Sequence, residues 1–154
     1  MRKNRILLIE DNPDHADSII NALNEEEGND DKGVLLIKDG QDAIDYFHKN
    51  DFSENTCHAE FNSDGQENFQ IDLILLDINI PKVSGVDILK YIRKKPGYSE
   101  TPVTILSTDS HKSIVEEAYR YGANSFIEKL VSYDKLVEEL KSVKNLFTKS
   151  YALM

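Results

Sequence analysis

Carboxylates, hydroxyls and one ammonium recur in this 154-residue chain just after short apolar runs. Glu10-Asp11 follows Ile6-Leu7-Leu8-Ile9, and Asp77 follows Leu73-Ile74-Leu75-Leu76. Ser107-Thr108 follows Val103-Thr104-Ile105-Leu106, and Lys129 comes shortly after the weaker run Asn124 to Ile127. Three carboxylates gathered in one pocket repel one another, and bare they raise each other's pKa values or destabilise the fold. A divalent cation resolves the conflict. Hard oxygen ligands with room for water and phosphate favour Mg²⁺, which takes one or two carboxylates and completes its octahedron with other oxygens. Asp11 and Asp77 are expected as direct ligands, Glu10 through water, and Asn79 through its backbone carbonyl. With a cation present, Asp77 can attack an incoming phosphoryl group as a carboxylate nucleophile and give an aspartyl phosphate. Mg²⁺ and Lys129 would stabilise charge on the transferred oxygens. The Ser107 hydroxyl would then bond a phosphate oxygen and draw its loop inward, which makes a two-state switch.

Taken singly, each feature has a plainer explanation. Acids after a strand often cap the next helix, so Glu10-Asp11-Asn12-Pro13 alone reads equally as a cap or turn. Asp77 alone is a loop acid, and Lys129 alone a solvated lysine. Joint placement at successive strand ends favours a site, because an open parallel α/β sheet binds ligands beyond the carboxyl ends of its strands, near the point where strand order reverses.

The positioning elements are legible in the apolar pattern. Besides the runs above, Val34-Leu35-Leu36-Ile37 has strand length. Continuous rather than alternating apolarity predicts strands covered on both faces, as in a parallel sheet. Between the strands, Ala16, Ile19, Ile20 and Leu23 recur at helical spacing, as do Val86, Leu89 and Ile92, and then Leu136, Val137, Leu140, Val143 and Phe147. Pro13 suits the first turn of the first helix, and Gly122 is placed to end the helix containing Ile114, Ala118 and Tyr119. Strand and helix alternate five times, which predicts a doubly wound α/β domain with right-handed crossovers. Residues 49–70 break the rhythm and read as a long surface loop. The acids Glu25-Glu26-Glu27 read as a solvated end of the first helix.

Composition narrows the partners. With 28 acidic against 18 basic residues and a formal charge of −10, most of the surface would repel a nucleic-acid backbone. A single cysteine, Cys57, permits no intramolecular disulfide and fits a reducing, cytoplasmic setting. The apolar run after the basic residues Arg2, Lys3 and Arg5 is too short for a signal peptide or membrane span.

These residues resemble the receiver domains of two-component signalling. The resemblance covers roughly residues 4–147 and is carried by Ile6-Leu7-Leu8-Ile9-Glu10-Asp11-Asn12-Pro13, by Asp72-Leu73-Ile74-Leu75-Leu76-Asp77-Ile78-Asn79-Ile80-Pro81 with Gly85, by Pro102 to Thr108, and by Gly122 to Lys129. The Glu-Asp-Asn-Pro start, the Asn-Ile-Pro after Asp77 and the long stretch before the third strand look most like stand-alone receivers that serve bacterial phytochrome kinases. The resemblance implies a flavodoxin-like sheet of order 2-1-3-4-5, a receiver domain over 1–147 and a tail, 148–154, too small for an output domain. It implies Asp77 as phosphoacceptor, Glu10 and Asp11 holding the metal, Ser107 and Lys129 contacting the phosphoryl group, and Phe126 at the aromatic switch position. The implied protein is a cytoplasmic single-domain response regulator rather than an enzyme. It would take phosphate from a sensor histidine kinase, lose it by slow self-hydrolysis, and act by docking to a downstream protein or passing the phosphate to a histidine phosphotransfer protein. Phosphorylation would remodel the surface near the fourth strand, fourth helix and fifth strand, and a homodimer through the fourth and fifth helices is compatible with this. One departure is Leu130, where the family has a proline in a cis peptide. A cis bond before a non-proline residue costs roughly 2.5–4 kcal/mol, so a trans Lys129–Leu130 bond and a shifted loop are expected.

Other readings have weaker support. A Mg²⁺-dependent phosphohydrolase with an aspartyl nucleophile needs a second acid two residues on, and Asn79 cannot do that work. A receiver-like interaction module without phosphorylation is favoured by Leu130 alone. Flavin binding would follow from the fold only, and the first turn lacks a loop of glycines and hydroxyls. A zinc site at Cys57-His58 lacks its remaining ligands; His15, His48 and His111 are scattered in sequence. Among the tyrosines, Tyr119 is the expected partner contact.

Overall fold

A computed structural model describes residues 6–24, 33–50 and 71–149. Five strands, β1 (Ile6–Ile9), β2 (Val34–Ile37), β3 (Leu73–Asp77), β4 (Val103–Ser107) and β5 (Ser125–Glu128), alternate with five helices: α1 (Pro13–Asn24), α2 (Gly40–Lys49), α3 (Gly85–Lys94), α4 (Lys112–Arg120) and α5 (Tyr133–Lys144). All pairings are parallel and the order is β2-β1-β3-β4-β5, the expected flavodoxin-like arrangement.

Side chains alternate across the sheet with the period of two that a pleated strand imposes. Leu7, Ile9, Ile74, Leu76, Val103 and Ile105 face one layer, where Ala43 and Phe47 of α2, Ile88, Leu89 and Ile92 of α3, and Ala118 of α4 pack. Ile6, Leu8, Leu73, Leu75, Leu106 and Ile127 face the other, against Ala16, Ile19 and Leu23 of α1 and Leu136, Leu140 and Val143 of α5. Burial on both faces is why these strands read as continuous apolar runs.

Two strands run one residue past their apolar runs, so Asp77 and Ser107 are the last strand residues of β3 and β4. A π-helical turn carries the chain after α5 through Asn145–Lys149. Gly122 closes α4 with φ +111, as expected for a left-handed stop. Lys49 ends α2; the rest of the expected loop, from 51 to 70 and including Cys57 and His58, lies outside the described residues, as does Glu25-Glu26-Glu27. No helix among the described residues is long and apolar enough to cross a membrane.

Candidate functional site

Parallel register sets the depth of each site residue. Ile9 pairs with Leu76, so Glu10 leaves β1 level with Asp77 at the end of β3, and Asp77 in turn pairs with Leu106 of β4. Ser107 pairs with Glu128, and the Lys129 N–H donates to the Ser107 carbonyl at 2.7 Å. Glu10, Asp11, Asp77, Ser107 and Lys129 therefore all stand at the carboxyl edge of the sheet, on both sides of the switch point between β1 and β3.

Carboxylate oxygens of Glu10, Asp11 and Asp77 lie within 4.8 Å of one another. Glu10 and Asp77 are 1% and 2% exposed, while Asp11 faces solvent. The Lys129 ammonium donates to Glu10 Oε1 at 2.8 Å and to Asp77 Oδ2 at 3.1 Å. One cation against three acids leaves the pocket acidic. Burial pushes the Glu10 carboxyl up to about 7; the hydrogen bond shared with Asp77 adds to the rise, and the bond from Lys129 opposes it. An all-oxygen donor set carrying an excess of negative charge suits a hard divalent cation.

Asn79 enters the site through its N–H, which donates to Asp77 Oδ1 at 3.0 Å. The Ser107 hydroxyl is held by its own loop: it donates to the Asp109 carbonyl at 2.8 Å and accepts from the Asp109 N–H at 2.9 Å. Phe126 is half-buried on β5 and packs against the core layer shared with α4. No peptide bond among the described residues is cis, so Lys129–Leu130 is trans as expected, and the ammonium still reaches both acids.

Sequence reasoning missed one residue. His15, in the first turn of α1, brings Nδ1 to 3.0 Å from Lys129 Nζ and 3.9 Å from Glu10 Oε2. Its place follows from Asn12, whose Oδ1 caps α1 by accepting from the Asp14 and His15 N–H groups at 2.9 and 3.2 Å. The Asn12-Pro13 helix start was the available signal.

A family model described as "Response regulator receiver domain" matches residues 6–141. The chain is 28% identical to the probable methanogenesis regulatory protein FilR2 of Methanothrix harundinacea, over 90% of this chain and 80% of that one. It is 24% identical to response regulator Rcp1 of Synechocystis sp., over 96% and 91% of the two chains. A crystal structure of the Mn²⁺-bound form of response regulator Rcp1 shares the fold with a TM-score of 0.71 at 22% identity, over 93% of each chain. The phosphorylated cyanobacterial phytochrome response regulator RcpA matches with a TM-score of 0.74 at 25% identity, over 97% of this chain and 96% of that one.

Proposed function

The chain belongs to the response regulator receiver domain family, and on that premise we propose that Asp77 is its phosphoacceptor, charged by a sensor histidine kinase. The observation that carries this reading is the Lys129 ammonium, which bridges Asp77 and Glu10 at the sheet's switch point. In the transfer, an Asp77 carboxylate oxygen bonds to phosphorus while the bond from phosphorus to the donor's imidazole nitrogen breaks. The electron pair leaves with the imidazole as the acyl phosphate forms on Asp77. Lys129 balances charge on the phosphoryl oxygens from within the same pocket. Glu10, Asp11 and Asp77, with the Asn79 backbone carbonyl, would hold the divalent cation, and their all-oxygen chemistry favours Mg²⁺. When bound, that cation supplies further neutralisation of phosphoryl charge. The phosphorylated form of RcpA and the Mn²⁺-bound form of Rcp1 support both parts.

The signal leaves through the β4–α4 loop. Asn12, Asp39, Ser84 and Ser132 cap α1, α2, α3 and α5 with side-chain oxygens, whereas α4 starts at His111 without a side-chain cap. Asp109 Oδ1 instead accepts from the His111 N–H at 3.0 Å, so the start of α4 is tied to the same loop residue that holds the Ser107 hydroxyl. Phe126 packs beside α4 and is the second switch residue. Tyr119, Leu130 and Tyr133 are exposed on α4, after β5 and at the start of α5, and they suit docking of a downstream protein, a histidine phosphotransfer protein or a second copy. We read residues 1–147 as a cytoplasmic receiver domain without an enzymatic activity beyond slow loss of its own phosphate, since position 79 offers no acid or base.

Intact mass after incubation with Mg²⁺ and acetyl phosphate tests this reading. The native chain is expected to gain one phosphate in a Mg²⁺-dependent manner, and Asp77→Asn none. Absence of an adduct on the native chain, even with rapid quenching, would leave a receiver-like interaction module.

A further inference from the structure

Three acceptors surround the Lys129 ammonium. Two are the carboxylates of Glu10 and Asp77, and the third is His15 Nδ1 at 3.0 Å. An ammonium has three N–H donors and nothing to accept with, so Nδ1 must be the acceptor, and the ring's proton sits on Nε2. All three donors are thereby used. The Lys129 side chain is 6% exposed, so no water competes freely for it and these contacts decide where its charge points.

The two carboxylates cannot both hold the lysine through the reaction. Asp77 becomes an acyl phosphate and loses its charge, and Glu10 belongs to the acid cluster that suits a cation. His15 is the one partner with neither duty. It is neutral in this role, so it directs the ammonium without cancelling the charge that the phosphoryl oxygens need. It is also rigidly mounted: the Asn12 side chain fixes its N–H in the first turn of α1, and the Lys129 backbone is tied to β4 through the Ser107 carbonyl. Exposed Leu130 adds nothing to that hold.

We infer that His15 is a positioning residue that keeps the Lys129 ammonium aimed at the phosphoryl group on Asp77. This rests on the phosphoacceptor reading. Replacing His15 with leucine removes the acceptor, whereas asparagine keeps one at the same point along the side chain. His15→Leu is expected to slow phosphorylation by acetyl phosphate about tenfold at saturating Mg²⁺, the scale of one lost charge-assisted hydrogen bond in the transition state. His15→Asn is expected to recover most of the native rate, and calorimetric Mg²⁺ affinity should stay within about twofold in both, since neither removes a carboxylate. Independently of any turnover, ¹⁵N NMR of the metal-free native protein should show a neutral His15 ring protonated on Nε2. A native rate in His15→Leu, equal slowing in both variants, or a proton on Nδ1 would each overturn the inference. If the native chain takes no phosphate at all, the phosphoacceptor reading has failed, and the native control separates that result from a failure of His15.

Discussion

A single guanidinium ties together the end of the sheet opposite the site. Arg93 Nε and Nη2 donate to the Gly122 carbonyl at 3.1 and 2.7 Å, Nη2 also to Asn124 Oδ1 at 2.8 Å, and Nη1 to the carbonyls of Tyr98, Ser99 and Thr101 at 3.2, 3.3 and 2.7 Å. These acceptors lie in the turns that lead into β4 and β5. Lysine carries one compact nitrogen with no fork, so Arg93→Lys leaves several partly buried carbonyls without a donor. We expect a loss of about 2–3 kcal/mol, from unsatisfied acceptors at roughly 1 kcal/mol or more each, read as a lower urea midpoint at unchanged m-value. A midpoint within error of native would show that water replaces the fork. Neither Arg93 nor His15 stood out in the sequence, because each matters through partners distant along the chain: 29 residues for Arg93 to Gly122, and 114 for His15 to Lys129. Glu10, Asp11, Asp77 and Lys129 were legible for the opposite reason. A strand end is a local pattern, and the fold rule converts it into a place.

Gly85 opens α3 directly beneath the site. A Cβ there would stand 2.5 Å from the Asp77 carbonyl oxygen and 2.5 Å from the Ile78 Cα, both backbone atoms that cannot rotate away, while the Gly85 N–H donates to the Ile78 carbonyl at 3.0 Å. Gly85→Ala must therefore displace either the start of α3 or the end of β3. The cost expected for such overpacking is about 1–3 kcal/mol, and because the strained segment carries Asp77 and Asn79, the phosphorylation rate should fall as well. Thermal unfolding and the acetyl phosphate assay on the same variant would test the pairing; a stable protein with a native rate would mean that the loop relaxes freely. How clearly each element could be read from sequence followed its burial. Central strands β1, β3 and β4 are buried throughout, so their apolar runs are unbroken. Edge strands β2 and β5 are each partly exposed, and the weaker run that predicts β5 begins at Asn124, one residue before the strand. That residue instead joins the turn: its N–H donates to the Val103 carbonyl and its side chain accepts from the Val103 N–H. The apolar run also ends before the backbone ladder does, which is why Asp77 and Ser107 stand just after their runs in the sequence although they close β3 and β4.

Alternation along the chain predicts a doubly wound sheet, but the apolar runs are interchangeable, and nothing in them states which strand lies beside which. The order came from the resemblance, and it matters because placing β1 next to β3 sets Glu10 and Asp11 against Asp77. That concentration of acid makes the stability of the whole molecule depend on pH. Glu10 titrates near 4.5 when unfolded, and burial with Asp77 beside it pushes it up to about 7 in the fold. Between those values the folded state holds a proton that the unfolded state has released. The stabilisation is thus fully present below about 4.5 and is lost as pH rises through about 7. In chelator, the native protein is expected to lose on the order of 1 kcal/mol more than Glu10→Gln between about pH 5 and pH 8, since glutamine has no proton to release. Mg²⁺ needs the ionised acids and binds the folded state, so it should raise the native Tm more at the higher pH. Thermal scans of both proteins, with chelator and with Mg²⁺, distinguish the cases. Parallel pH profiles for the native chain and Glu10→Gln would show that Glu10 is already ionised in the metal-free fold, with Lys129 outweighing its burial.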